Sequence, residues 1–152
     1  CRGWDGFGLA VQAYSKRALP LLKWLEALYE EQHQCHGQAQ RISLRLVKGA
    51  YWDAEIKRAQ QLGVVDYPVF TEKNDTDIAY LGCARYLLDR AEIFYPQFAT
   101  HNAQTVCAIL HQAGDHKDFE FQRLYGMGEA LYQTLLEQNP NLVCRVYAPV
   151  GD

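Results

Sequence analysis

The sequence lacks paired cysteines, long apolar runs and an excess of positive charge. Its five cysteines are scattered and form no C-x-x-C pair, which predicts free thiols in a reducing compartment. No apolar run is long enough to span a bilayer. The formal net charge of -3 gives no electrostatic case for nucleic-acid binding.

The start of the chain also lacks two common signals. Residues 1–6 (CRGWDG) contain neither an initiating methionine nor the pattern of a signal peptide. We therefore expect the chain to begin inside a longer protein. Its 152 residues are enough for one domain with a sizeable core.

The sequence does contain a regular succession of strand-like and helix-like segments. Alternating side chains predict strands over 8–14, 42–47, 93–100, 118–124 and 142–147. Helical spacing predicts helices over 16–34, 53–62, 76–90 and 103–113, and a fifth that follows Gly128 and ends near 138. Asn102 is a suitable N-cap for the fourth helix, and Asp75 or Thr76 for the third. This order favours a parallel sheet covered by helices.

The stretch 41–52 carries the first indication of a ligand site. Arg45 lies in the middle of a strand, and Lys48 and Gly49 form a turn into the next helix. This arrangement suits an anionic or electron-rich ligand, although an edge strand with Arg45 in water fits the stretch alone equally well. His33 and His36 could in principle bind a metal. They lie at the polar end of the predicted helix, where a solvated C-terminus explains them better, so we expect no metal site.

Polar residues near the carboxyl ends of the strands distinguish two sheet architectures. A doubly wound sheet is apolar on both faces, whereas the interior of a barrel can be polar where active sites lie. The chain also has no G-x-G-x-x-G motif. We therefore predict part of a TIM-like (β/α)8 barrel, with a little over half of the roughly 250 residues of a complete one. The polar positions are Gln12, Arg45, Thr100, Gln122 and Tyr147.

Five segments along the chain carry a further set of motifs. They are 45–53 (RLVKGAYWD), 67–73 (YPVFTEK), 95–102 (YPQFATHN), 119–129 (FEFQRLYGMGE) and 144–151 (CRVYAPVG). In these segments, in this order and over nearly the whole chain, the sequence resembles the proline dehydrogenase domain of the bifunctional bacterial enzyme proline utilization A. The resemblance implies that residues 1–152 are the C-terminal part of such a domain, about strands four to eight of a distorted (β/α)8 barrel.

The same resemblance implies an activity and its partners. The full-length protein would use FAD to oxidise L-proline to Δ1-pyrroline-5-carboxylate, the first step of proline catabolism to glutamate, and would pass electrons to a membrane quinone. An aldehyde dehydrogenase domain would lie in the same full-length chain, and a homo-oligomer is left open. This segment would make no nucleic-acid contact. The implied location is the bacterial cytoplasm, with peripheral association with the membrane.

The resemblance also implies roles for individual residues. Arg45, near N5 of the flavin, and Tyr147, packed on the proline, would be the catalytic residues. Arg45 stays charged and would stabilise negative charge as hydride arrives. Structural alternatives are a core position for Trp52 and a loop-positioning role for His101. The implied cofactor-binding residues are Gln12, Arg45, Val47, Lys48, Gly49, Ala50, Trp52, Thr71, Lys73, Thr100, His101, Asn102, Gln122 and Leu124.

Two other functions fit the same residues. A barrel enzyme for a phosphate-bearing ligand would use Lys48 and Gly49 as an anion cradle, and a non-catalytic barrel module would need no ligand. The family's remaining proline-pocket residues would precede Cys1 and follow Asp152. We therefore expect the isolated chain to be inactive and to expose two unpaired sheet edges, at its first and last strands.

Overall fold

A computed structural model describes residues 6–37, 39–148 and 150 of the chain. Cys1, Pro149, Gly151 and Asp152 lie outside these ranges. The strands are β1 (Gly8–Gln12), β2 (Ile42–Val47), β3 (Phe94–Ala99), β4 (Glu120–Leu124) and β5 (Val143–Tyr147). The helices are α1 (Ala18–His36), α2 (Trp52–Gln61), α3 (Lys73–Leu88), α4 (Ala103–Ala113) and α5 (Glu129–Gln138).

The five strands form one parallel sheet in which their order is their order in the sequence. The predicted parallel α/β architecture is therefore confirmed. Connections between parallel strands are almost always right-handed, so an unreversed order sends every connecting helix to the same side of the sheet. A doubly wound sheet would need a reversal of the strand order. β1 and β5 are the outer strands within the described part of the chain.

The two faces of the sheet differ in composition. The face that meets the helices carries Leu44, Leu46, Phe94, Phe98 and Phe121, each 0% exposed. Burial of one such side chain contributes about 1.5–3 kcal/mol, so this face supplies the main driving force for folding. The helices complete the core with Leu22, Leu25, Tyr80, Leu87, Val106, Ile109, Tyr132 and Leu135.

The boundaries of the elements lie within two residues of the predicted ones, except at the start of α3. The N-cap prediction of Asp75 or Thr76 was wrong, because the helix begins at Lys73 and Glu72 holds the N-cap position. Lys73 pairs with Asp77 four residues later, at 2.7 Å, which favours a helix over this turn.

The N-cap of α4 is confirmed. The side-chain Oδ1 of Asn102 accepts a hydrogen bond from the backbone N–H of Thr105 at 2.9 Å. This bond satisfies a backbone donor that the first helical turn leaves unpaired. No helix in the described ranges is both long enough and apolar enough to cross a membrane.

Candidate functional site

The face of the sheet opposite the helices carries the polar strand residues. The register pairs Arg45 with Gln97, and Leu124 with Tyr147, across neighbouring strands. Side chains at paired positions leave the same face of a sheet. Arg45 and Tyr147 are half-buried, whereas Gln122 is only 1% exposed. We call this surface the polar face.

Arg45 makes contact with two other predicted site residues on the polar face. Its Nε donates to Oε1 of Gln122 at 2.6 Å, and its Cζ lies 4.9 Å from the centroid of the Tyr147 ring. A guanidinium over an aromatic ring is attracted by about 0.5–2 kcal/mol. The fold thus brings together a cation from β2, an amide from β4 and an aromatic ring from β5.

Glu120 extends this network beyond the predicted residues. Its side chain accepts from Nε2 of Gln122 at 2.6 Å and from Nε and Nη2 of Arg145 at 2.8 and 2.9 Å. Burial alone would raise the pKa of the Glu120 carboxyl, but the hydrogen bonds from Arg145 and Gln122 outweigh it and the pKa is lowered. Sequence reasoning gave no role to Glu120 or Arg145, although a glutamate two residues before Gln122 on one strand face was a usable signal.

A cleft of about 390 Å³ lies where the turn after β2 meets the start of α3. Its lining joins residues 48–52 and 70–77, which are 18 residues apart in the sequence, with Tyr14. Five predicted cofactor-binding residues line it: Lys48, Gly49, Trp52, Thr71 and Lys73. The other lining residues are Tyr14, Phe70, Glu72, Thr76 and Asp77.

Asp77 connects the two lysines of the cleft. Its Oδ1 lies 2.5 Å from Nζ of Lys48, and its Oδ2 lies 2.7 Å from Nζ of Lys73. The hydrogen bond from Lys48, and then that from Lys73, lowers the pKa of the Asp77 carboxyl. Asp77 was missed by sequence reasoning, because its role depends on a contact with a turn 29 residues away.

Trp52 is fixed at the cleft but is not a core residue. Its indole Nε1 donates to the carbonyl of Phe70 at 2.8 Å, and 40% of the residue is exposed. Gln12, at the end of β1, accepts from the backbone N–H of Ala50 at 3.3 Å. This bond connects the turn after β2 to the neighbouring strand β1. Val47, the last residue of β2 before this turn, is half-buried.

The third group of predicted residues follows β3. Thr100 is 6% exposed, and its hydroxyl accepts from the backbone N–H of Asn102 at 3.2 Å. Nε2 of His101 accepts from the backbone N–H of Leu124 at 3.0 Å. Burial, and then the nearby Arg123, lowers the pKa of His101, which suits a neutral acceptor. These residues thus connect the ends of β3 and β4, and their contact with a cofactor stays a prediction.

Comparison with known proteins shows the family of the chain that carries the polar face and the cleft. The family model described as proline dehydrogenase matches residues 1–152. The chain therefore belongs to the proline dehydrogenase family, and the resemblance seen in the sequence is confirmed.

The relatives include large bifunctional proteins. The bifunctional protein PutA of Rhizobium meliloti is 49% identical over 98% of this chain, and that of Salmonella typhimurium is 47% identical over 98%. The chain spans only 12% and 11% of their respective lengths. Proline dehydrogenase 2 of Bacillus subtilis is 34% identical over 72% of this chain and 32% of its own length.

Solved structures agree with this assignment. A crystal structure of proline utilization A from Bradyrhizobium japonicum matches 99% of this chain and 15% of that chain, with a TM-score of 0.89 and 52% identity. Proline utilization A from Bdellovibrio bacteriovorus matches 98% of this chain and 15% of that chain, with a TM-score of 0.82 and 37% identity.

Proposed function

We propose that this chain is part of a domain that oxidises L-proline to Δ1-pyrroline-5-carboxylate with FAD, the first step of proline catabolism to glutamate. Membership of the proline dehydrogenase family supports the reaction. The observation that carries the proposal for this chain is the contact of Arg45 with Gln122 and Tyr147 on the polar face. Arg45 and Tyr147 are the proposed catalytic residues, and Tyr147 also packs on the substrate.

The residues of the cleft fit the adenosine and phosphate portions of FAD. The exposed indole of Trp52 offers a flat surface for an adenine ring. The ammonium groups of Lys48 and Lys73 suit phosphate oxygens, and Thr71 adds a hydroxyl to the same lining. Gly49 brings backbone close to the cleft without a side chain. The remaining proposed FAD-binding residues are Gln12, Arg45, Val47, Ala50, Thr100, His101, Asn102, Gln122 and Leu124.

The residues of the polar face would act on charge and orientation. FAD, when bound, supplies the acceptor for the hydride that leaves proline. Arg45 contributes a fixed positive charge that needs no reorganisation during the reaction, because Gln122 already holds its Nε. Tyr147 offers an apolar ring of suitable size for a small cyclic substrate, and its contact with Arg45 limits the freedom of both side chains.

We further propose that the sheet is part of a (β/α)8 barrel with the polar face inside. The unreversed order of parallel strands supports this, since it leaves the helices on one side. For the full-length protein we propose an aldehyde dehydrogenase domain in the same chain, which the length and the bifunctional description of the relatives support. A membrane quinone as electron acceptor, and a cytoplasmic location with peripheral membrane contact, rest on the family resemblance alone.

Substitution of Arg45 tests the proposed catalytic role. Arg45→Met in the full-length protein should lower kcat/KM for proline with a dye acceptor by about 100-fold or more, the usual effect of losing a preorganised charge. Arg41→Met is the matched control, because Arg41 pairs with Asp118 at 2.7 Å before β2 begins. Unchanged proline oxidation by the Arg45 variant would argue against its role at the flavin.

The cleft also supports a second candidate, a barrel enzyme that binds a phosphate-bearing ligand. The two lysines beside Gly49 are the observation that favours it. Flavin absorbance of the purified full-length protein separates the two proposals. A yellow protein supports the FAD enzyme. A colourless protein that binds inorganic phosphate, with weaker binding after Lys48→Met, supports the alternative.

A further inference from the structure

Glu120 is a buried charged residue on the polar face that the proposed reaction does not use directly. It is 1% exposed, and its carboxylate accepts hydrogen bonds from Gln122, Arg145 and, at 3.4 Å, the hydroxyl of Tyr95. The Arg145 guanidinium engages both carboxylate oxygens, while 59% of its side chain is exposed. A buried carboxylate paired in this way adds little net stability, since the cost of desolvation offsets the attraction. Stability alone therefore does not account for Glu120.

The chemistry of three groups fixes the orientation of the Gln122 amide. An ionised carboxylate only accepts hydrogen bonds, and a guanidinium only donates them. Glu120 must therefore meet the NH2 end of Gln122, at 2.6 Å, and Arg45 must meet its carbonyl end, also at 2.6 Å. A flipped amide would place donor against donor at Arg45 and acceptor against acceptor at Glu120.

The orientation of Gln122 in turn determines which part of Arg45 is available. Gln122 engages only Nε, and the hydrogen bonds formed within the described ranges include none from Nη1 or Nη2 of Arg45. Both terminal nitrogens can therefore donate to a ligand on the polar face. The ring of Tyr147 lies against the same guanidinium and limits its tilt.

We propose that Glu120 is a positioning residue, which holds Gln122 so that Arg45 presents its two terminal nitrogens to the cofactor and substrate. Arg145 keeps Glu120 in place from the next strand. This inference rests on the proposed function, since it concerns the same site. It adds a residue that acts through Gln122 and Arg45 and touches neither ligand.

A double-mutant cycle in the FAD-bound full-length protein tests this role. Glu120→Leu should lower kcat/KM for proline by about ten- to a hundredfold, as expected for a misplaced active-site group. Glu120→Gln should recover most of the activity, because its amide oxygen can still accept from Gln122. In an Arg45→Met background, Glu120→Leu should have almost no further effect. The midpoint potential of the bound flavin, measured on the same proteins, should show the same lack of additivity.

Each outcome of the cycle has a defined meaning. Wild-type activity in Glu120→Leu, or an effect that adds fully to that of Arg45→Met, would overturn the proposal. If Glu120→Leu does not fold, the double variant Glu120→Leu/Arg145→Leu removes both charges together and should show the same loss. Failure of the proposed function would look different, because the wild-type protein would then lack flavin or proline oxidation.

Discussion

A Cβ atom on Gly49 would lie 1.3 Å from Cδ1 of Tyr14, so the ring of Tyr14 occupies the space that a side chain at position 49 would need. Gly49 also has a φ of +137°, a conformation that other residues rarely adopt. Both constraints apply to the turn that joins β2 to the cleft. The shape of this turn therefore depends on glycine.

Gly49→Ala in the full-length protein should destabilise the turn locally. Overpacking combined with an unfavourable φ predicts a loss of about 1–3 kcal/mol. Hydrogen exchange of peptides over 44–52 measures the loss directly. Gly82→Ala is the control, since Gly82 lies within α3 and its added Cβ would meet no atom within 4 Å beyond the adjoining residues of its own helix. Unchanged exchange in Gly49→Ala would contradict the crowding at Tyr14.

The ion pairs of Asp77 should make the start of α3 sensitive to acid. The lysines lower the pKa of this carboxyl below its usual 3.8, so its contribution to stability is present at higher pH and is lost as the pH falls through the lowered value. Protection from hydrogen exchange at the start of α3 should therefore decrease below about pH 4. Asp77→Asn should already lose this protection at neutral pH, by less than about 1 kcal/mol because the pair is partly exposed.

Asp75→Asn provides the control for the Asp77 prediction. Asp75 carries the same charge in the first turn of α3 and makes no ion pair within the described ranges. Protection factors measured from pH 7 down to about pH 2 cover the expected transition, which lies below the usual pKa of the carboxyl. A wild-type protein and an Asp77→Asn variant that lose protection in parallel would show that Asp77 is not the group responsible.

Tyr132→Phe should weaken the attachment of α5 to the sheet. Tyr132 is 1% exposed, and its hydroxyl donates to the carbonyl of Thr100 at 2.8 Å. Loss of the hydroxyl leaves this buried carbonyl without that donor, which costs about 1–3 kcal/mol. Hydrogen exchange of peptides from α5 should show the effect. Tyr125→Phe, at a residue that is 71% exposed, should change protection by less than about 0.5 kcal/mol.

The described cysteines should differ strongly in their reaction with alkylating reagents. Cys83 is 2% exposed, and burial raises the pKa of its thiol to about 11. Thiolates are the reactive form, so Cys83 should be labelled much more slowly than the exposed Cys35 and Cys107 at pH 8. Mass spectrometry of the folded protein, with a sample in denaturant as control, measures the three rates. Labelling of Cys83 at the rate of Cys107 would show that α3 opens readily.

The sequence predicts the secondary structure well where local pattern decides it. The bounds of β2 agree with the prediction, because its apolar and polar side chains alternate from Ile42 to Leu46. The start of α3 is different. Lys48 reaches Asp77 from another segment, and a contact over 29 residues leaves no local signal in the sequence. The helix begins at Lys73, three residues before the predicted Thr76, and the pairs of Asp77 with Lys48 and Lys73 join this end of the helix to the turn after β2.

The candidate site was predictable only in part. Arg45, Gln122 and Tyr147 were named together because each is a polar residue near the carboxyl end of a predicted strand and lies in a motif of the family. The fold does bring them into contact. Glu120 was missed because a glutamate on a strand usually faces solvent. Its partner Arg145 lies on the neighbouring strand, where the register pairs Arg145 with Gln122. Register between strands depends on the whole sheet and cannot be read from one strand.

Because side chains alternate between the two faces of β2, the position of each residue along the strand decides which face its side chain joins. Leu44 and Leu46 are fully buried beneath the helices, while Arg45 between them faces the opposite side. A deletion of one residue inside β2 would exchange the two sets, and would place a guanidinium in the core and leucines at the proposed active site. A deletion of two residues would preserve the assignment of faces. Insertions and deletions in this strand should therefore be tolerated better when they change its length by an even number of residues.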